Sequence, residues 1–391
     1  MLSRPGPSDR GVVFFAGQDW WYHNRAHSDM QLALQLAAGR RVLLINSIGT
    51  RMPMPGKSTD VRQRLARKLK SILRGVKQPV PELPNFYVYS PLSVPLYQSA
   101  IGRRFNTVLL LAQVGVVRWY LRLGRPDVIV TPPTAWEVVR RMRRRSLTFN
   151  RSDKHSAWAE VDQVQVAALE RALLRNSDLV LYVSHALMDE DVADAGSRAF
   201  FLDHGVDFEK FTVDGPVAEA LSAVPHPRLG FFGALRDVVL DLDLIAELAD
   251  AMPQASIVLV GPSTVDMDSL LSRGNVFWFG PQPHEAIPSF GRGFDVALMP
   301  WLDNDWIRNC NPVKLKEYLA LGLRIVTIDF PEVRRYAEIV DIAANRESFI
   351  KLCQVAATDP GDRQLRRAAV ASDSWQARGR QLAEAIDALP T

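Results

Sequence analysis

Thirteen short apolar runs recur along the chain, most of them continuous Val/Ile/Leu/Phe stretches without polar alternation. A strand with one face in water alternates; a strand buried on both faces does not, and such strands belong to parallel sheets covered by helices. In the first half the pattern predicts strands at Val12–Gly17, Arg41–Ser47, Phe86–Pro91, Asp127–Pro133, Ser146–Arg151, Asp178–Ser184 and Ala199–His204. In the second half it predicts them at Arg228–Gly233, Ala255–Gly261, Val276–Gly280, Asp295–Pro300, Arg324–Asp329 and Ile339–Ala343. Helical segments such as Val161–Arg175 and Leu240–Ala251 lie between them and supply the crossovers. The expectation is an α/β chain with two Rossmann-like parallel sheets in tandem.

At 391 residues the chain is long enough for two such lobes. The boundary is expected near 205–226, where His204-Gly205-Val206-Asp207 leads towards Val224-Pro225-His226-Pro227. This divides the chain into an amino-terminal domain 1–208, a second domain 209–363, and a terminal segment 364–391 running back onto the first. Two cysteines, Cys310 and Cys353, exclude a disulfide scaffold and a cysteine-based zinc site. The opening MLSRPGPSDR lacks the apolar core of a secretory signal, and the best apolar run, Val108–Val117, is too short to cross a membrane. The expected location is the cytoplasm.

Charge is unevenly divided. Residues 1–200 hold 29 Lys/Arg against 16 Asp/Glu, whereas 201–391 hold 18 against 27. A basic first half suggests an anionic partner, either nucleic acid or a membrane face. Val61, Leu65, Leu69, Ile72, Leu73 and Val76 form an apolar stripe at helical spacing. Arg62, Arg64, Arg67, Lys68, Lys70, Arg74 and Lys77 cover the rest of that helix, and Arg140, Arg141, Arg143, Arg144 and Arg145 form a second cluster. Peripheral membrane contact through 61–77 and 140–145 follows as an expectation, with a solvated helix packed on the sheet as the alternative. No nucleic-acid motif interleaves these charges, so nucleic acid is not an expected partner.

Ligands of open parallel sheets collect beyond the carboxyl ends of the strands. That rule selects Gln18–His27, Arg151–His155, Gly233–Arg236, Gly261, Gly280–His284 and Trp301–Lys314. The most informative stretch is Asn309-Cys310-Asn311-Pro312-Val313-Lys314-Leu315-Lys316-Glu317-Tyr318-Leu319-Ala320-Leu321-Gly322. Asn311 suits an N-cap, Pro312 the first helical position, and Gly322 the helix end. Free amides at a helix start bind phosphate, Lys314 adds a full charge there, and Glu317 lies one turn deeper on the same face. An ordinary exposed Lys–Glu pair is the competing reading.

With its neighbours this region resembles the donor lobe of GT-B glycosyltransferases. Members commonly carry Lys-Leu-x-Glu-Tyr-Leu-Ala-x-Gly before a buried strand, and this chain has KLKEYLALG followed by LRIVTID. FFGAL at 231–235, LVGP at 259–262, NVFWFG at 275–280 and FDVALMP at 294–300 follow in matching order, and HGVDFEKF at 204–211 resembles the segment linking the lobes. The resemblance implies two Rossmann-like domains facing across a cleft. It further implies a nucleotide-sugar donor with Lys314 on the diphosphate, Glu317 on the ribose, and Gly233, Arg236, Gly280 and Asn311 nearby. Retaining members usually show two glutamates separated by seven residues; Glu317 fits the second, but the first position is Asn309, and Ala234 stands where many have an arginine. These departures favour an inverting relative, similar to the xanthan glucuronosyltransferase among bacterial polysaccharide glycosyltransferases.

An inverting transfer needs a base for the acceptor hydroxyl. Asp153, in Phe149-Asn150-Arg151-Ser152-Asp153, is the candidate, with His155 second; the alternative is that Ser152 or Asp153 caps the next helix. Asp19, Trp20, Trp21 and His23 are candidates for acceptor contact, since rings stack on sugar faces. Packing of those tryptophans is the alternative. His23 and His27 stand four apart, but no third ligand is evident and no metal is expected. Trp306, Arg308 and Asn309 are candidates for the donor sugar, Arg308 as partner to a sugar carboxylate, with a plain surface loop as the alternative. The nucleotide base is expected near Phe279–His284, with uridine as the family expectation. No cofactor beyond the donor is expected, because helix amides and Lys314 can carry the departing charge. The expected partners are a nucleotide sugar and a glycan or glycolipid acceptor in polysaccharide assembly. A nucleotide-sugar epimerase of the same fold, or a two-lobed binding protein without turnover, remains the alternative.

Overall fold

The computed structural model describes residues 10–23, 25–48, 61–94, 99–158 and 161–390, excepting the side chains of 61–65 and 100. Most of the opening MLSRPGPSDR, Asn24 in the aromatic cluster, and the side chains of Val61, Arg62, Arg64 and Leu65 therefore lie outside the described residues. The chain divides into two units, one of residues 1–203 and 378–391, the other of 204–377.

In the first unit the strands are β1 (Val12–Phe15), β2 (Val42–Ile45), β3 (Val76–Lys77), β4 (Phe86–Tyr89), β5 (Asp127–Val130), β6 (Ser146–Arg151), β7 (Leu179–Tyr182) and β8 (Ala199–Phe201). They form one sheet in the order β3-β4-β2-β1-β5-β6-β7-β8. All neighbours are parallel except the two-residue β3, which pairs antiparallel with β4 and was not predicted. The central strands VVFF, VLLI and DVIV are buried along their whole length, the physical counterpart of their missing alternation.

The second unit carries β9 (Arg228–Phe232), β10 (Ser256–Val260), β11 (Val276–Trp278), β12 (Val296–Met299), β13 (Arg324–Ile328) and β14 (Asp341–Ala343). Their order is β11-β10-β9-β12-β13-β14, and every pair is parallel. Both sheets reverse direction at the first strand, β1 between β2 and β5 and β9 between β10 and β12, which opens a crevice beyond their carboxyl ends.

The unit boundary falls at 203/204, a few residues before the expected 208/209, and the tail leaves the second unit at 378 and not at 364. Hydrogen bonding explains both shifts. Lys316, buried, donates to the His204 carbonyl (2.8 Å) and to Asp373 (2.6 Å), and the Val206 amide donates to the Asp373 carbonyl (2.7 Å). These bonds hold 204–206 and the segment around 373 in the second unit. The last residues belong to the first unit: Arg40 pairs with Asp387 (2.5 Å), and Arg145 donates to the carbonyls of Ile386 and Leu389 while pairing with buried Asp127. Among the described residues no helix is long and apolar enough to cross a membrane.

At the carboxyl ends of β9 and β10 two glycines meet. Gly233 and Gly261 have φ of +143° and +144°, and a Cβ on Gly261 would stand 1.9 Å from the Gly233 carbonyl oxygen. A methyl group there must displace backbone, so Gly261→Ala is expected to lower the unfolding free energy by about 2–4 kcal/mol. Gly274→Ala, where a Cβ meets nothing within 4 Å, is expected to be neutral or stabilising by about 0.5 kcal/mol. Urea unfolding of the two variants beside the parent checks the contrast.

Candidate active site

The helix Val313–Leu321 follows β12 through a short helix, Asp305–Asn309, capped by the Asn304 side chain. Pro312 occupies the N-cap of Val313–Leu321, one residue later than the sequence suggested, and provides no side-chain cap. Asn311, the expected cap, is buried just before it. With proline at the cap, the first-turn amides of this helix have no side-chain acceptor from that position, the condition under which a helix start receives an anion. At the other end Gly322 adopts a left-handed φ of +75°, and the Leu323 amide returns to the Tyr318 carbonyl, closing the helix.

Tyr318 pins this helix to the sheet, its hydroxyl accepting from the Phe232 amide (3.0 Å) and its ring packing on Phe232. That anchor sets Lys314 over the end of β9. Its ammonium lies 4.6 Å from the Phe231 ring centroid and 5.8 Å from that of Trp301, and a Cβ on Gly233 would stand 2.6 Å from it. The missing side chain at 233 is the space the ammonium uses. Surrounding protein strips water from the cation and pushes its pKa down to about 8, against the opposing pull of Glu317. Such a lysine is poised for an anion, because a bound diphosphate would restore the favourable field that burial removed.

Glu317, buried, lies one turn deeper than half-buried Lys314. Its Oε1 is 3.2 Å from His284 Nε2, and His284 Nδ1 is 2.9 Å from the Lys210 ammonium. An ammonium can only donate, so Nδ1 accepts, Nε2 carries the proton, and the imidazole donates to Glu317. This orients the carboxylate and leaves its other oxygen for a ligand hydroxyl. His284 was expected beside the nucleotide base; the structure joins it to Glu317. Lys210 was not singled out from sequence, and a lone lysine 74 positions from its partner offers no sequence signal.

The remaining second-unit candidates divide. Gly280, with φ of +62°, accepts from the Gly261 amide (2.8 Å) and extends the row of glycine turns at the strand ends. The Arg236 guanidinium stands 5.6 Å from the Trp306 ring centroid. Arg308 is held by both oxygens of Asp303, at 2.7 and 2.9 Å, so the residue expected to meet a sugar carboxylate already faces one from its own loop. Asn309 is buried, its amide donating to the Asp305 carbonyl (2.9 Å).

In the first unit Asp153 follows β6. It caps no helix: the next turn, His155–Ala157, has Lys154 at its N-cap without a side-chain bond. Its Oδ2 accepts from the Trp158 indole (3.1 Å), and its carbonyl accepts from Arg151 (3.1 Å). Arg151 is buried between Glu170 and Asp191; burial disfavours its charge, but the two carboxylates outweigh this and raise its pKa. His155 is buried against Trp158, with Nδ1 3.7 Å from Glu170.

At the mouth of the same sheet Asp19 is a structural tie, accepting from the Trp21 amide (2.9 Å) and the Ser71 hydroxyl (2.9 Å). Trp20 is 1% exposed and packs on Phe86, so it fills the core beneath the mouth and offers no face to a sugar. Trp21 is half-buried with the Arg74 guanidinium 4.3 Å from its ring, and His23 is exposed beside His27. Among the described residues no group of three or more His, Cys, Asp or Glu could hold a metal ion.

No protein-family model matches the chain. In sequence it is 24% identical over 248 residues to TuaH of Bacillus subtilis (strain 168), named as a teichuronic acid biosynthesis glycosyltransferase. The match covers 59% of this chain, which spans about three-fifths of that relative's length. In structure it resembles sucrose-phosphate synthase from Thermosynechococcus elongatus, with a TM-score of 0.72, 14% identity, and 97% and 98% of the two chains covered. Anabaena HepE in complex with UDP gives 0.67, 13%, and 97% and 100%. A trehalose-6-phosphate protein of E. coli bound with UDP-2-fluoro glucose gives 0.66, 12%, and 97% and 99%. Two parallel sheets with the same reversal point, matched over nearly the whole chain by glycosyltransferase structures, give this protein the GT-B fold.

Proposed function

We propose that the protein is a glycosyltransferase that moves a sugar from a nucleotide diphosphate sugar to a hydroxyl of a glycan or lipid-linked glycan in polysaccharide assembly. The observation that carries this reading is the Lys314 ammonium, set over Gly233 beside a helix start whose cap is a proline. That arrangement suits a pyrophosphate, and Glu317, oriented by His284, suits ribose hydroxyls. UDP in the HepE structure and the role named for TuaH support uridine as the base and a polysaccharide product.

In the proposed inverting reaction the acceptor oxygen forms a bond to the anomeric carbon as the bond from that carbon to the diphosphate oxygen breaks. The electron pair leaves with the diphosphate, where the helix amides and Lys314 stabilise it. The acceptor proton passes to Asp153, whose backbone is braced by Arg151. Positive charge from protein groups meets the leaving group in this scheme, which calls on no metal.

Three outcomes test it. Lys314→Ala is expected to weaken UDP binding by about ten- to a hundred-fold, read by calorimetry and by loss of the thermal shift that UDP produces in the parent. UDP affinity should begin to fall as pH rises towards 8 and decline above it towards the level of Lys314→Ala, because the free protein's Lys314 loses its proton at about 8. Lys314→Arg should flatten that fall. Asp153→Asn should leave UDP binding intact while lowering kcat by about 10²–10⁴, with the parent's rate unchanged by EDTA. An isomerised sugar from donor alone would replace this reading with an epimerase.

A further inference from the structure

The helix Ala100–Tyr120 in the first unit has two apolar faces, and only one is covered. Asn106, Leu110, Val114 and Val117 point into the first unit, with Leu121 just beyond the helix end on the same side. Advancing 100° per residue, Ile101, Phe105, Val108, Val116 and Trp119 fall on the opposite side. They are 82%, 54%, 67%, 65% and 82% exposed, and Tyr120 beside them is 69% exposed. A 21-residue helix is about 31 Å long, so this is a continuous strip along one edge of the unit and not a scatter of single residues.

Charge decides what fits it. Residues 99–125 contain five Lys/Arg and no acidic residue. Arg104 and Arg122 are exposed and flank the strip on one side of the helix. The basic helix Val61–Leu73 lies across the carboxyl ends of the same sheet, with Lys68 donating to the Ser47 carbonyl (2.8 Å) and Ser71 bonded to Ser90 (2.5 Å). Its Leu69 and Leu73 are also exposed. A second copy docking through this face would bring arginines against arginines with no acidic partner. A bilayer with anionic headgroups answers both features: acyl chains take the apolar side chains, phosphates take the arginines, and Trp and Tyr at the helix end sit at the interface.

We propose that the face of Ala100–Tyr120 centred on Phe105, Val108 and Trp119 is a peripheral docking surface for an anionic lipid bilayer, the helix lying in the plane of the interface. This surface differs from the two basic clusters singled out from sequence. In the second of those, Arg140 and Arg141 pair with Glu137, while Arg144 and Arg145 bind backbone carbonyls. The proposal does not rest on the transferase reading, and its readout is binding alone.

The test is co-sedimentation of the full chain with phosphatidylglycerol-containing vesicles and with pure phosphatidylcholine vesicles at about 0.1 M salt. The expected result is binding to the anionic vesicles only. The double variant Phe105→Ser/Trp119→Ser should reduce it about ten-fold or more while leaving the thermal melt unchanged, since both side chains face outward. Arg104→Ser/Arg122→Ser should reduce it and blunt its salt dependence. Absence of binding by the parent, or binding that survives the double variant, would overturn the proposal. Dissociation of a dimer by that variant would do so too and assign the face to a second copy.

Discussion

An ammonium group placed where a side chain would otherwise stand is the constraint on which the candidate site depends. Gly233 leaves open the space that Lys314 Nζ occupies, and Gly261 must lack a Cβ because the Gly233 carbonyl stands there. The two glycines let strand ends approach closely enough for the helix Val313–Leu321 to present its start and its lysine together. Tyr318, bonded to the Phe232 amide, holds that helix at the required depth. Its cation is kept in an environment that disfavours its charge, so the site is electrostatically unfinished without an anion.

The two lysines of KLKEYLALG illustrate how position on a helix decides role. Lys314 and Lys316 are two residues apart, so their side chains leave the helix on different sides. Lys316 turns inward, is 1% exposed, and is neutralised by Asp373 and the His204 carbonyl. Removing one partner of a buried cation so paired would be strongly destabilising, whereas Lys314 has no such close pair and feels the carboxylate of Glu317 from one turn away. The basic character of the first half divides likewise. Arg40, Arg145 and Arg151 serve internal ion pairs, whereas Arg67, Lys70, Arg74, Arg104 and Arg122 are exposed.

Much of the fold was legible in the chain. Continuous apolar runs such as VVFF and SIVLV announce parallel strands because both faces are buried, and all thirteen predicted runs are strands. The two-residue β3 escaped because two residues carry no period. The helix Val313–Leu321 was legible from the asymmetry of its ends, proline before and glycine after, although its start shifted by one residue. Trp20 was not legible: an aromatic after a strand reads equally as a stacking platform or as core, and only packing against Phe86 separates the two. The partner of Arg308 was not legible for a related reason, since Asp303 lies in the same loop at a spacing with no regular geometry.

The amino-acid sequence by itself determined the two parallel sheets, their strand-end glycines, and the chemistry of the Lys314–Glu317 turn, because these follow from local periodicity and backbone permission. Only the tertiary structure decided that His284 and Lys210 orient Glu317, that Trp20 is core, and that one side of Ala100–Tyr120 stays uncovered. Those outcomes depend on which distant segments arrive at the same place, and a helix with apolar residues on two sides does not declare which side the sheet will take.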